Sequence, residues 1–272
     1  MQLIDGRLVY SATDLVGFLE CRHLANLERA AVEGHINRPM RADRVLDRIA
    51  QRGREHEARF LRDLTAGGMT VVEIGPEEGL PFGERLTRGR DATLLAMQAG
   101  AEVIYQATLF DGRRLGFADF LRRVERPSGL GGWSYEVWDT KLARHAKASA
   151  VLQICMYSEM VSALQRSAPE QMHLALGGAR RETVSFPVTD YAAYYRSVAL
   201  DFEQVLGNRG PAFPLASMPE PVEHCNVCRW NMECRAQWRA ADDLSLVANL
   251  TSRQRRALHG IGVATRTARA EP

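Results

Sequence analysis

The hydrophobic and polar positions of the chain repeat with two different periods, and the period changes along the sequence. Apolar residues recur at three- and four-residue steps over four stretches, which predicts helices over 42–65, 84–99, 146–165 and 189–206. Short apolar or alternating runs bounded by turn residues predict strands over 101–110, 115–121, 137–141, 171–176 and 182–188. Strands interleaved with helices indicate an α/β protein with a mixed central sheet flanked by helices.

Turn residues connect the central strands of this pattern. Asp111-Gly112 is a strong two-residue hairpin signal between the runs 101–110 and 115–121. The connection 125–132 contains Pro127, Ser128 and several glycines, which suits a second antiparallel hairpin. The sequence therefore predicts an antiparallel meander of three strands.

The helix over 42–65 has an apolar stripe at helical spacing, formed by Leu46, Ile49, Gly53, His56, Phe60 and Leu64. The stripe predicts that His56 faces inward. Glu55 and Glu57 lie off the stripe, so the pattern predicts that both are solvated.

Two carboxylates and a lysine lie in the meander. Successive side chains of a strand alternate between its faces, so Asp139 and Lys141 point the same way and Thr140 points the opposite way. The predicted hairpin brings Asp119 beside Asp139. Carboxylates that approach closely repel unless a cation lies between them, and hard oxygen ligands suit Mg²⁺ or Mn²⁺. The pattern predicts a divalent metal site.

Lysine usage draws attention to the same region. Of the 35 basic residues, only Lys141 and Lys147 are lysines. A compact ammonium can contact a single water or phosphate oxygen and can lower its pKa, which the arginine guanidinium cannot do. A surface lysine at a strand end is the simpler alternative. Gln153 and Tyr157 lie one turn apart in the helix 146–165, so they share a face on which both could contact a phosphate.

Composition and charge limit the class of protein. A chain of 272 residues with 46% hydrophobic content can bury one large core or a core plus a small appendage. No apolar run is long enough for a membrane span and the N-terminus does not resemble a signal peptide, so we expect a soluble cytoplasmic protein. The net charge of +2 means that contacts with nucleic acid would have to come from a local patch.

Four of the five cysteines form a candidate metal site. Cys225, Cys228 and Cys234 have the spacing Cys-x2-Cys-x5-Cys, and Cys21 is the obvious distant fourth ligand. In a reducing compartment such a cluster favours metal ligation over disulfides. Thiolates suit zinc or an iron-sulfur cluster, and the spacing does not distinguish the two. His224 could replace Cys21 in a zinc site.

Three motifs in order, Gly116-x-x-Asp119, Asp139-x-Lys141 and Gln153-x-x-x-Tyr157, resemble the RecB-like branch of the PD-(D/E)xK nuclease superfamily. The resemblance extends over about residues 11–234 and includes the opening Ser-x-x-x-Leu-x-x-Phe-x-x-Cys, although Arg22 stands where many relatives carry proline. It also includes Gly53-x-x-His56. The cysteine pattern resembles the iron-sulfur members, such as AddB-type and CRISPR-associated adaptation nucleases.

The resemblance implies a restriction-endonuclease-like core over 1–234, closed by a 4Fe-4S cluster, with zinc as the alternative. It implies a Mg²⁺- or Mn²⁺-dependent nuclease that acts as an exonuclease on DNA that is single-stranded or has free ends, in repair, recombination or defence. The implied catalytic residues are Asp119, Asp139, Lys141, Gln153 and Tyr157. The implied metal ligands are His56, Asp119, Asp139 and the Thr140 carbonyl, and the implied cluster ligands are Cys21, Cys225, Cys228 and Cys234.

Residues 235–272 are predicted to form a helical appendage. Within it, 258–264 resembles half of a helix-hairpin-helix, whose glycine turn can present backbone N–H groups to a DNA phosphate. Relatives with this arrangement carry a ribonuclease H-like or helicase partner domain. The alternative to an enzyme is a non-catalytic nucleic-acid-binding or scaffolding module with the same fold and a structural iron-sulfur or zinc site.

Overall fold

The structure is a computed structural model that describes residues 1–40, 44–75, 77–178, 182–207, 215 and 217–270. Its strands are β1 Gln2–Ile4, β2 Arg7–Ser11, β3 Val71–Glu73, β4 Val103–Phe110, β5 Arg114–Val124, β6 Ser134–Lys141, β7 Gln171–Leu176 and β8 Thr183–Pro187. Its helices are α1 Ala12–Glu20, α2 Arg22–Val32, α3 Arg44–Ala66, α4 Phe82–Gln98, α5 Ala148–Gln165, α6 Val188–Gly207, α7 Asn231–Ala240, α8 Ser252–Gly260 and α9 Arg266–Ala270. The predicted α/β class with a mixed sheet flanked by helices is confirmed.

The chain divides into two compact units. The first comprises Met1–Val16 and Asp43–Val205, and the second comprises Gly17–Ala42 and Leu206–Pro272. The sequence instead predicts a domain over 1–234 and an appendage over 235–272, and that division stays a prediction. Each unit contains one of the two candidate sites.

The first unit is built on a mixed sheet of eight strands. Strands β4, β5 and β6 form the predicted antiparallel meander, and Gly112 turns the first hairpin with a φ of 87° that favours glycine. Strand β6 continues through α5 into the parallel strand β7, which pairs with the antiparallel β8. Strand β2 pairs in parallel with the start of β5, and β3 pairs in parallel with β4.

Strand β5 is paired differently along its two edges. Strand β4 pairs with it from Leu115 to Arg122 on one edge. Leu115 also pairs with β2, and Phe120 also pairs with β6, so β2 and β6 must both lie on the opposite edge. The registers of β2 and β6 leave residues 116–119 without a strand partner on that edge. We call this stretch the β5 gap, and Asp119 is its last residue.

Helices α3 and α5 cover opposite faces of the sheet. The Phe60 ring of α3 lies 6.3 Å from the Trp138 ring, centroid to centroid, and stacks against it. Gln153 of α5 donates to Asp139 at 3.4 Å. Trp138 and Asp139 are consecutive in β6, so their side chains point to opposite faces of the sheet. The helices that contact them therefore lie on opposite faces as well.

The predicted inward stripe of α3 is wrong at its N-terminal end. Leu46 is 45% exposed and Ile49 is 52% exposed. None of the described residues of α3 is fully buried, whereas α5 buries most of its length, including Met156 and Val161. The apolar spacing therefore predicted the helix but not the depth at which it packs.

The second unit has a small core of its own. Trp230 and Trp238 are buried with Leu27 and Cys234. The indole N–H of Trp230 donates to Glu28 at 2.8 Å, and that of Trp238 donates to the Pro219 carbonyl at 2.7 Å. Both polar groups of these large side chains are thereby satisfied, which fixes the rings in place.

The C-terminal segment contains two short helices joined by a glycine turn. Helix α8 begins with a capping box between Thr251 and Gln254. Gly262 has a φ of 87° and lies between α8 and α9. The predicted helical character of this segment is confirmed through residue 270, and residues 271–272 lie outside the described part. In the described chain, no helix has the length and apolar character needed to cross a membrane.

Candidate active site

Asp119 lies where the ladder between β5 and β6 opens. The ladder runs from Val124–Ser134 to Phe120–Trp138 and ends before Asp119. Beyond it, the carboxylate Oδ2 of Asp119 accepts from the backbone N–H of Thr140 at 2.7 Å and from its hydroxyl at 2.6 Å. A side chain thus replaces the strand as the partner of a backbone donor, which holds the carboxylate in the sheet plane.

Asp139 is almost fully buried, at 1% exposure. Its Oδ2 atom is buried and accepts no well-aligned hydrogen bond, and the Lys141 ammonium forms an ion pair with it. Burial, followed by the negative charge of Asp119, raises the pKa of Asp139 to about 7. The predicted meeting of Asp119, Asp139 and Lys141 is found in the structure.

Gln153 and Tyr157 reach the same carboxylate from α5. Gln153 donates to the Tyr157 hydroxyl at 3.0 Å and to Asp139 at 3.4 Å. Burial, followed by the charge of Asp139, raises the pKa of the Tyr157 hydroxyl, so the phenol stays protonated. A Cβ atom on Gly116 would overlap the Tyr157 ring, coming within 2.7 Å of Cδ1. The glycine in the β5 gap therefore makes room for the tyrosine.

Glu57 of α3 is a further acid of the site, although its position off the apolar stripe predicts a solvated residue. It is half-buried, and burial followed by the charge of Asp119 raises its pKa. The Gln106 amide donates to it. Gln106 lies opposite Asp119 in the β4–β5 register but is left out of the pairing, with a φ of 55°. Such a left-handed residue within a strand is strained and is typical of functional sites.

His56, the predicted metal ligand, has a different contact. Its Nε2 lies 3.2 Å from the Ala175 carbonyl of β7. Ala175 is the register partner of Thr140, so His56 lies one strand away from the acids. His56 also lines a cavity of about 460 Å³, together with Arg59, Asp63 and Gly178. Glu57 interacts with Asp119, and the role of His56 as a metal ligand stays a prediction.

The carboxylates at this site are the type of ligand that a hard cation prefers, but their side chains are not arranged around a common metal position. Three carboxylates, those of Glu57, Asp119 and Asp139, interact electrostatically, and the Lys141 ammonium offsets part of their charge. Within the described ranges, no three His, Cys, Asp or Glu side chains are arranged to hold a metal ion. The carboxylate oxygens fit Mg²⁺ or Mn²⁺ by type and charge.

The four predicted cluster cysteines line one small cavity in the second unit. Cys21 precedes α2, Cys225 lies within a 3-10 turn at Glu223–Asn226, Cys228 follows that turn, and Cys234 lies in α7. Burial raises the pKa of the Cys21, Cys228 and Cys234 thiols, and the neighbouring cysteines raise it further. All five cysteines are free.

The imidazole of His224 lines the same cavity, so the alternative zinc ligand is also in place. Four sulfur donors around one cavity fit either metal centre by donor type. Cys155, by contrast, is buried in α5 of the first unit, where its thiol lies 3.7 Å from the Met172 sulfur.

Comparisons with known proteins do not decide between the functional classes. No protein-family model matches the chain, and a search of curated proteins finds no detectable relative.

Proposed function

We propose that the chain is a metal-dependent deoxyribonuclease of the RecB-like PD-(D/E)xK type, with a restriction-endonuclease-like core. The observation that carries the proposal is the convergence of Asp119, Asp139 and Lys141 at the β5 gap. A buried carboxylate with a raised pKa, next to a second acid and an amine, is typical of a functional site rather than of a structural ion pair. DNA that is single-stranded or has free ends is the proposed substrate.

Asp119 and Asp139 would hold a Mg²⁺ or Mn²⁺ ion, with the Thr140 carbonyl as a further oxygen donor. A carboxylate oxygen of Glu57 is one further ligand, supported by its interaction with Asp119, and an imidazole nitrogen of His56 is the further ligand that the family resemblance implies. When bound, the ion would lower the pKa of a water and offset the charge that develops on the phosphate. The present arrangement supports this proposal because the carboxylates carry more negative charge than Lys141 neutralises.

The remaining side chains position the reacting groups. The Lys141 side chain is 30% exposed, whereas that of its partner Asp139 is buried. The Lys141 ammonium can therefore contact the attacking water or a phosphate oxygen. The Gln153 amide donates to the Tyr157 hydroxyl and thereby orients this hydroxyl beside the carboxylate site. The raised pKa of Tyr157 keeps its hydroxyl protonated at neutral pH, so the hydroxyl can donate a hydrogen bond.

The cysteine cavity supports a separate, structural role. Cys21, Cys225, Cys228 and Cys234 would hold a 4Fe-4S cluster, or zinc with His224 as an alternative ligand. Such a centre would join α2 to α7, which lie about two hundred residues apart in the chain. The proposed cluster therefore contributes to the stability of the second unit rather than to hydrolysis.

The C-terminal segment supports a contact with DNA. Its glycine turn follows α8, which carries Arg253, Arg255 and Arg256, and no acidic residue occurs from 252 to 270. A positively charged segment can bind DNA phosphates without reading bases. Fusion or association with a ribonuclease H-like or helicase domain stays a prediction from the resemblance.

Digestion of end-labelled DNA tests the proposed activity. We expect the purified protein to degrade labelled single strands with Mn²⁺ and to be inactive in EDTA. The Asp139→Asn and Lys141→Ala variants should lose at least about 100-fold in rate, as is usual when a group that acts in the transition state is removed. Glu125→Gln, which removes an exposed carboxylate of the 125–132 loop, serves as the control. Undiminished cleavage by both site variants would refute the assignment.

A non-catalytic nucleic-acid-binding module is the second candidate. It is favoured by one observation, that no three metal-ligating side chains are arranged for coordination in the described ranges. This candidate predicts binding of labelled DNA in EDTA with no cleavage when Mn²⁺ is added. The digestion assay therefore distinguishes the two candidates directly.

A further inference from the structure

A cleft of about 310 Å³ adjoins the carboxylate site on its α5 side. Its polar lining consists of Thr13, Lys141, His145, Lys147, Ser149 and Gln153. Lys141 and Gln153 belong to both places, because each contacts Asp139 and also lines the cleft. A ligand in the cleft would therefore be within reach of the proposed catalytic residues.

The cleft is positively charged. The only two lysines of the chain, Lys141 and Lys147, both line it. Lys141 is paired with Asp139, whereas no carboxylate of the described chain pairs with Lys147. An exposed ammonium beside a concave surface, without an internal counter-ion, is free to bind an anion.

The lining of the cleft also includes apolar side chains. Among them are Ala12 and Val16 of α1 and Ala150 of α5. The volume is at the lower end of the roughly 300–1,000 Å³ that small-molecule sites occupy. Ammonium groups together with small apolar side chains suit a ligand that carries a phosphate and a less polar part, as a nucleotide does.

We propose that this cleft binds the phosphate and sugar of the nucleotide next to the cleaved bond, with Lys147 as the phosphate ligand and His145 and Ser149 as further donors. The inference rests on the proposed nuclease function and extends it by placing the substrate strand. The strand would pass from the carboxylates over Lys141 and Gln153 into the cleft. Lys147 is then a specificity and binding residue, not a catalytic one.

Arg144 provides a matched control for Lys147. It lies in the same loop between β6 and α5 and is exposed, but it does not line the cleft. Arg144→Ala and Lys147→Ala remove the same charge at nearly the same place in the chain. A general effect of net charge would appear in both variants, and a site effect would appear in Lys147→Ala alone.

Binding in EDTA tests the subsite without any catalytic step. Affinities for thymidine 5′-monophosphate and for a fluorescent single-stranded oligonucleotide are measured at several salt concentrations. We expect Lys147→Ala to weaken both about tenfold and to lower the salt slope of oligonucleotide binding by about one, as the loss of one phosphate contact does. Lys147→Arg should recover part of the affinity, and Arg144→Ala should bind like the parent.

The results separate the subsite from the proposed function. Lys147-dependent binding without cleavage in Mn²⁺ would support the subsite and refute the nuclease. Cleavage with an unchanged KM in Lys147→Ala would support the nuclease and refute the subsite. An equal loss of affinity in Arg144→Ala would also refute the subsite, since it would show that only overall charge matters.

Discussion

The Asp119 carboxylate replaces a strand as the partner of Thr140, accepting from its N–H at 2.7 Å and from its hydroxyl at 2.6 Å. The bonds fix the acid at the β5 gap and satisfy a backbone donor that the ladder no longer pairs. One oxygen therefore has a structural role and the charge of the group has a chemical one. Two substitutions can separate these roles.

Asp119→Asn keeps an acceptor oxygen for Thr140 and removes the charge. We expect it to unfold near the parent temperature and to lose at least about 100-fold in nuclease rate. Asp119→Ala should lose the same activity and, in addition, about 1–3 kcal/mol of unfolding free energy, because the Thr140 N–H is left without its partner. Urea unfolding curves give the comparison, and equal stability of the two variants would contradict it.

Gly116→Ala should damage the site through Tyr157. The added methyl group overlaps the tyrosine ring, so the ring or the strand must move, at a cost of about 1–3 kcal/mol. Gly132→Ala is the control, since nothing lies within 4 Å of its Cβ position. In a Tyr157→Ala background the cost of Gly116→Ala should largely disappear. Additive costs in the double variant would show that the two residues are independent.

The stability of the metal-free protein should depend on the charge of Asp139. The pKa of this carboxyl is about 7 in the folded protein and about 4 in an unfolded chain, so the folded state binds the proton more tightly than the unfolded state does. The resulting stabilisation is complete below the unfolded pKa and is lost as the pH rises through the folded pKa. In EDTA, the free energy of unfolding should therefore fall between about pH 4 and pH 7, by on the order of 2–4 kcal/mol.

Asp139→Asn should not show this fall, and at neutral pH it should be at least as stable as the parent while inactive. Glu125→Gln, an exposed substitution, should follow the parent curve. Chemical denaturation at several pH values measures the free energy of unfolding of each variant. Parallel curves for the parent and Asp139→Asn would contradict the prediction.

Cys228→Ser should release the metal centre and lower stability without altering the carboxylate site. We expect the purified parent to contain iron and sulfide, or zinc, and the variant to contain less of it. Its melting temperature should fall by at least about 5 °C, because metal binding contributes to folding free energy. Cys155→Ala removes a buried thiol of the first unit and should retain the metal. Full metal content in Cys228→Ser would exclude the four-cysteine centre.

Much of the carboxylate site could be predicted from local periodicity. Alternation along β6 correctly places Asp139 and Lys141 together, and helical spacing correctly places Gln153 beside Tyr157. The hairpin signal at Asp111-Gly112 correctly predicts the antiparallel pair that precedes Asp119. Each of these relationships depends on residues close in sequence, where a repeat of two or 3.6 residues settles the geometry.

Glu57 could not be predicted in this way, because its role depends on how α3 packs against the sheet. The apolar stripe indicated an inward face for Ile49 and His56, but Ile49 is exposed and His56 contacts Ala175. The left-handed conformation of Gln106, which bonds Glu57, has no signal in a strand sequence. Alternation along β6 predicts that Thr140 points away from Asp139, and it does not reveal that the Thr140 hydroxyl donates to Asp119.

The β5 gap has a consequence for local motion. Residues 120–122 are paired with strands on both edges, whereas residues 116–118 are paired with a strand on one edge only. Amide hydrogen exchange should therefore be slow in the first group and faster in the second. Asp119, which is proposed to bind the metal near the substrate, lies at the border between these two groups of residues. It follows backbone that can adjust to a ligand and precedes backbone that is paired on both edges.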